Sequence, residues 1–356
     1  MRSKIHLLYP FDQGLELDFA GPDAKEYFKE IAVHTSAPLS MEGRHIATAE
    51  LSTQVFRFGV GIIQLTFEVD GELDYLTELS AKVEKLHVGG TPILAHCKSL
   101  VEGLIQKAAV YATYTYERRL TEDELFPVVE LLDSPAENAA DFIRRQHRAL
   151  FGMVSGEINY NRLSEFVLEK EKLVNYGYYE TEMVLIKRFG AAIFSPESGT
   201  ILDMIKLAFA QYWSLRSYNF ILDYELDEAQ RMLAHLPPYY KFWSIPGAYQ
   251  RFSTEATGFD RDKISIVDSL YNVIANVDRV EADWHLRTLH DSVNSVFGIE
   301  ELHKMVETKI EHITDSYNSA RDFLSTNFFI LLDIIFFLSL VWSIIDTFLL
   351  WKLTVK

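Results

Sequence analysis

From Ile62 to Asp70 the chain alternates: Ile63, Leu65, Phe67 and Val69 fall on one side, Gln64, Thr66, Glu68 and Asp70 on the other. That is the period of a half-buried strand. "GELDYLTELSAKVEKL" then predicts a helix, "HVGGTP" a loop, and the segment from Ile93 to Lys107 a second helix. "YATYTYE" and "LFPVVELL" predict strands. In "DSPAEN", Ser134 is placed as a helix N-cap, Pro135 at the first helical position and Glu137 two positions on, closing a capping box. "EMVLIKRFGAAIFS" is apolar throughout and predicts a buried strand pair turning at Gly190. Residues 1–195 therefore predict an α/β domain. Arg-Phe-Gly occurs twice in it, at 57–59 and 188–190, a faint internal echo.

After Pro196 the period lengthens. Ile201, Ile205, Ala208, Tyr212, Leu215, Asn219, Leu222, Leu226, Ala229 and Leu233 keep a 4-3 spacing, a heptad seam over about five repeats. Asn219 is the polar member, a device that fixes register. Pro237 and Pro238 end this helix; an aromatic loop is expected to Asp260, then a helix from Asp262 to Phe297 that returns as the second arm of an antiparallel hairpin. Gly298 predicts a break. Ile299, Leu302, Val306, Ile310, Ile313, Tyr317, Ala320 and Leu324 continue near heptad spacing as a self-associating stalk, without Pro or Gly, into the last apolar run. The expected organisation is α+β/α: an α/β domain (1–195), a helical hairpin (196–297), a stalk helix (298–327) and one transmembrane helix (328–351).

That run, "FFILLDIIFFLSLVWSIIDTFLLW", spans Phe328–Trp351, and 17 of its 24 residues are Phe, Ile, Leu or Val. As a helix it reaches about 36 Å, against about 30 Å for a hydrocarbon core. The apolar residues favour insertion by about 5–10 kcal/mol in sum, and two central Asp would oppose it by about 5–7. Asp333 and Asp346 each stand about 10 Å from the midpoint, close to the headgroups, so the opposing figure is an upper bound and insertion wins. Ser339, Ser343 and Asp346 share one helical face, following the i, i+4, i+7 rule. Such a face on a membrane helix mediates helix packing; a sharper reading is a cation path with a ring of Asp346 at its mouth.

Composition narrows the classes. The net charge of −17 argues against nucleic acid and against an anionic lipid surface as partners of the soluble part. The lone Cys97 excludes an internal disulfide and a Cys-rich zinc site, and is read as a small buried residue. The N-terminus has only a short apolar patch before Asp12, less than a signal peptide needs. The expectation is a tail-anchored protein with a cytoplasmic head, partnered by the bilayer and by copies of itself; its ligand is not legible.

No phosphate loop, dinucleotide glycine pattern or nucleophile elbow is present. Gly59 and Gly61 fit a hairpin turn better than a phosphate cradle. Glu84 with His87 and Glu300 with His303 have the Glu-x-x-His spacing of di-iron bundles, and Glu281, His285 and His290 form another cluster; solvated helix faces explain all three better. No enzyme, metal or cofactor is expected. In architecture, a cytoplasmic α/β domain, a helix hairpin and a stalk entering the membrane resemble the CorA magnesium channels, which implies a pore; a second membrane helix and a Gly-Met-Asn loop, which that family has, are absent here. "VFRFGVGII" before an acidic helix, long helices after "SPESGT", and an acidic residue in the last span also resemble the required-for-meiotic-nuclear-division family. That implies a membrane protein with one C-terminal span, from a family implicated in mitochondrial organisation and translation.

Overall fold

The computed structural model describes residues 1–17, 35–56, 58–116, 118–133, 138–237, 244–275 and 284–354. In chain order these form β1 (Arg2–Asp12), β2 (Leu15–Leu17), β3 (Thr35–Met41), β4 (Arg44–Val55), β5 (Val60–Asp70), α1 (Leu73–Ala81), β6 (Leu86–Val88), β7 (Thr91–Pro92), α2 (Ile93–Ala108), β8 (Ala112–Thr115), β9 (Phe126–Leu131), α3 (Ala139–Arg145), α4 (His147–Ser155), α5 (Glu165–Lys170), β10 (Met183–Lys187), β11 (Gly190–Phe194), α6 (Ser198–Ala234), α7 (Ile245–Ala275), α8 (Trp284–Phe297) and α9 (Ile299–Thr354). They group into two compact units. One joins Met1–Phe220 with Val267–Lys304; the other joins Ile221–Ile266 with Met305–Lys356.

The first unit is built on a sheet of order β10-β11-β9-β1-β5-β4-β3-β6-β7, and β2 pairs with β8 separately. Only the β9–β11 pairing is parallel. The expected α/β domain is therefore corrected to α+β: the other neighbours in this sheet run antiparallel, where crossover helices would make parallel pairs. β1 lies inside the sheet, between β9 and β5, and includes the short apolar patch before Asp12. Ile5, Leu7, Tyr9 and Phe11 bury on one face, and His6 and Leu8 on the other, so the strand shows no alternation. Its ladder with β9 ends at Leu8, two residues before Pro10, which could not donate to it. One apolar core packs α1, α2 and α4 against the first face, with Cys97 fully buried and its thiol pushed up to about 12 by desolvation. The other core packs α6 and α8 on the second face, around the rings of Phe126, Phe209 and Phe297.

Two turns carry local instruction. Gly59, at φ +76°, turns β4 into β5, and a Cβ there would lie 2.9 Å from the Leu15 carbonyl oxygen. Gly190 does not make the β10–β11 turn: Lys187 pairs with Gly190, leaving Arg188 and Phe189 as the turn residues. Its missing side chain instead admits the carbonyls of Met153 and Pro127, which would sit 3.1 and 3.2 Å from a Cβ. Ser134, Pro135 and Glu137 lie outside the described residues; the cap seen on α3 is Asn138, whose side chain accepts from Ala140 N.

The heptad reading of α6 was too narrow for its first half. Ile205, Ala208 and Leu215 are buried, but so are Phe209, Ala210, Trp213 and Ser214 between them. A helix buried nearly all round belongs to a core rather than to a two-helix seam. In the second unit, α7 starts at Ile245, well before the expected Asp262, and most of the predicted aromatic loop is helical. Pro246 sits in its first turn, where no N–H is needed, and Ile245, Phe252, Phe259 and Ile266 bury every seventh residue. Of the predicted Asp262–Phe297 helix, the residues up to Ala275 are helical in α7 and Trp284–Phe297 in α8; residues 276–283 lie outside the described ones. The stalk seam is buried within its own chain: Val306, Ile313, Ala320 and Leu324 are covered, and Tyr317 stacks with Phe252 and Phe259 at 5.7 and 5.1 Å. Lys309 pairs with Asp223, and Lys263 Nζ donates to Thr314 Oγ1 at 2.9 Å. Gly298, at φ +64°, separates α8 from α9 as expected.

Candidate functional sites in the apolar helix and an aromatic cleft

Among the described residues one helix is long and apolar enough to cross a membrane, the part of α9 up to Trp351. Only 6% of its most apolar stretch is buried in the chain. That separates it from a core helix, since Phe336, Phe337 and Trp342 stand out to the surroundings. Ser339, Ser343 and Asp346 are exposed on it, and so is Asp333. Thr347 Oγ1 donates to the Ser343 carbonyl at 2.8 Å, a local bond that satisfies its hydroxyl within the helix. Asn219, the expected register residue, is half-buried on α6, in its last turn within the first unit.

The two Glu-x-x-His pairs lie on different elements. Glu84 lies in a short 3-10 turn and His87 on β6. Glu300 and His303 sit in the first turn of α9, and Glu281 lies outside the described residues. No group of three metal-ligating side chains exists among the described residues. His290, expected on an exposed face, is instead buried, with its ring beside Asn294.

A buried polar network joins β1, β5, β9 and the start of α6. His6 Nε2 lies 3.2 Å from Glu130 Oε2, and Nδ1 lies 3.0 Å from Thr66 Oγ1 and 3.2 Å from Gln64 Nε2. A carboxylate only accepts, so Nε2 carries the hydrogen and Nδ1 accepts, which assigns the neutral tautomer. Ser198 donates to the other oxygen of Glu130. Glu130 thus stands between Ser198 and His6, so His6 cannot take the Ser198 proton as a nucleophile's base would. Desolvation holds the His6 imidazole below its ordinary value, opposed by the Glu130 hydrogen bond and charge and assisted by Lys4 and Lys206.

This gives a pH prediction. A histidine whose folded value is lowered binds fewer protons folded than unfolded, so stability is full above about pH 6.5 and falls as pH drops below it. His290, lowered by the same desolvation, acts in the same sense. Buried Asp12 acts oppositely, since desolvation raises its carboxyl and protonation favours the fold. Each histidine adds at most about 1.4 kcal/mol per pH unit. The melting temperature should drop between pH 7.5 and 5.5, and His6→Gln should shrink that drop whatever its own offset. An equal drop in the variant would show that His6 charges freely in the fold.

A second feature went unread in the sequence. Between β10 and the chain leading into it, the loop 175–182 is tightly organised. Asn175 Oδ1 accepts from Gly177 N and Val184 N at 3.1 and 2.8 Å, and its Nδ2 donates to the Glu182 carbonyl at 2.8 Å. Glu182 Oε2 accepts from Tyr178 N and Tyr179 N at 3.0 and 3.2 Å, and Oε1 from Ser195 Oγ at 3.0 Å. The result holds two adjacent tyrosine rings outward, with Trp284 and His285 of α8 beside them. These rings line a cleft of about 440 Å³ with Glu182, Ser195 and Glu197. The signal available in the sequence was the acidic, tyrosine-dense "YGYYETE".

Residues 28–200, just under half of the chain, match the family described as "Uncharacterized protein MJ0711, N-terminal domain". The match runs from the residues before β3 to the start of α6, and its description states no activity. No curated protein and no solved structure matches the chain.

Proposed function

We propose that this protein is a non-enzymatic, oligomeric membrane scaffold or tether, anchored by the last turns of α9, with its acidic folded part on the cytoplasmic side. What supports the reading is the continuity of α9. One 56-residue helix passes from positions buried in its own bundle, Val306 to Leu324, into a run exposed from Leu332 to Trp351 apart from the half-buried Val341. A solvent-facing helix of that composition has no stable place in water, whereas a bilayer satisfies it. The lone buried Cys97 fits a reducing compartment, and protease protection in sealed vesicles tests the side. A pore of the CorA kind is the competing reading, resting on the Ser339, Ser343 and Asp346 face.

Self-association through that face is expected, because small residues admit a neighbouring helix and a carboxylate avoids lipid by facing it. With Cys97→Ala as background, Ser339→Cys and Ser343→Cys should form intermolecular disulfides several-fold more readily than Leu338→Cys or Val341→Cys. Equal crosslinking at all four positions would remove both the scaffold's contact and the pore. In reconstituted bilayers the scaffold carries no current; a cation current lowered by Asp346→Asn would decide for the pore.

A further inference from the structure

The cleft beside β10 has the chemistry of a site for an organic cation. Tyr178 is the hub of its wall: its ring meets Tyr179 at 4.6 Å and 81°, Trp284 at 5.5 Å and 62°, and His285 at 4.4 Å and 49°. The four side chains line the same cleft. They are open to it as well, since Tyr178, Tyr179 and Trp284 are 44, 64 and 68% exposed. Large rings left this exposed on an ordered loop and helix end are not core residues.

The charge of the cleft is the second observation. Glu182 is only 6% exposed, yet its carboxylate is held by two backbone N–H groups and one hydroxyl, all neutral. Among the described residues no Lys, Arg or His nitrogen forms an ion pair with it, and none pairs with the exposed Glu197 opposite. Elsewhere on this unit, partly buried carboxylates such as Glu124 are matched by Arg188 and Arg216. A buried negative charge without a counter-ion favours a cation that enters from outside. Aromatic faces favour a cation that is bulky and weakly hydrated over a sodium ion or a primary ammonium, because the latter keep their water.

We propose that this cleft binds a small quaternary ammonium group of the choline or betaine class, with Trp284, Tyr178 and Tyr179 supplying ring faces and Glu182 and Glu197 the field. The volume of about 440 Å³ admits such a group with room to spare. The loop is ordered by Asn175 and Glu182 before any ligand arrives, so little ordering remains to oppose binding. This goes beyond the scaffold reading and does not rest on it.

The test uses the full chain in a maltoside detergent, which has no ammonium headgroup, titrated calorimetrically with choline chloride and with sodium and ammonium chloride as controls. Saturable choline binding is expected, with neither control competing. Trp284→Leu removes a mostly exposed ring, so melting should hold while affinity falls about tenfold; Glu197→Gln should lower it about threefold. Phosphatidylcholine liposomes, set against phosphatidylglycerol liposomes, divide the source. Competition by the former alone assigns the site to a lipid headgroup, and retained choline binding without competition assigns it to a soluble ligand. Absence of saturable binding, equal displacement by ammonium, or unchanged affinity in Trp284→Leu would each overturn the proposal.

Discussion

A chain ending at Thr326 is expected to remain in the supernatant after carbonate extraction, whereas the full chain pellets with membranes. The truncation removes the exposed apolar run and keeps Val306 to Leu324, which complete the bundle of the second unit. Its fold should therefore survive, and circular dichroism should show a loss of helix confined to the missing residues. The effect is large because the apolar run contributes several kcal/mol toward the bilayer, enough to move the partition from nearly all bound to nearly all free. Pelleting of the truncated chain would place the anchor elsewhere.

Leu222→Asp should be the most damaging single substitution in the bundle. Leu222 is fully buried on α6 among residues of the second unit. Losing its side chain costs about 2–5 kcal/mol through the cavity alone, and the carboxylate adds the penalty of a buried group with no partner. Leu222→Ala should show the first part without the second. The neighbouring Asp223→Asn gives the contrast: its pair with Lys309 is exposed on the Asp side, and such pairs contribute less than about 1 kcal/mol. Thermal unfolding followed at 222 nm should order the three variants as Asp, Ala, Asn in falling severity. A native-like Leu222→Asp would mean that the 4-3 spacing around it reflects no packing.

How much was legible follows from how many faces each element buries. β5 alternates where one side is partly open, from Ile63 to Asp70, and the sequence announces it. β1 is covered on both sides and announces nothing, so the central strand passed for a short apolar patch. The α9 seam reads correctly as a helix with one buried stripe, but a stripe does not say what covers it; here residues of α7 and α6 of the same chain lie against it. α7 escaped because Gly247, Gly258 and a run of aromatics resemble a loop, while its signal, one large residue every seven, is sparse. The long apolar helix was readable from composition alone, since 24 residues hold 17 that are Phe, Ile, Leu or Val. The aromatic cleft was not, because Tyr178 and Trp284 stand more than a hundred residues apart in the chain and only the fold brings them together.

The unbroken α9 also acts as a shaft with a fixed phase. At about 100° per residue, the direction shared by Ser339, Ser343 and Asp346 lies only about 70° around the helix from the direction that Val306 to Leu324 bury. With no Gly or Pro between Ile299 and Thr354 to swivel on, neither direction turns without the other. Two copies whose spans meet along the serine face would therefore each carry the bundle to one flank of the pair, alongside the partner's shaft. In such a pair, rotating the spans against each other would swing both bundles.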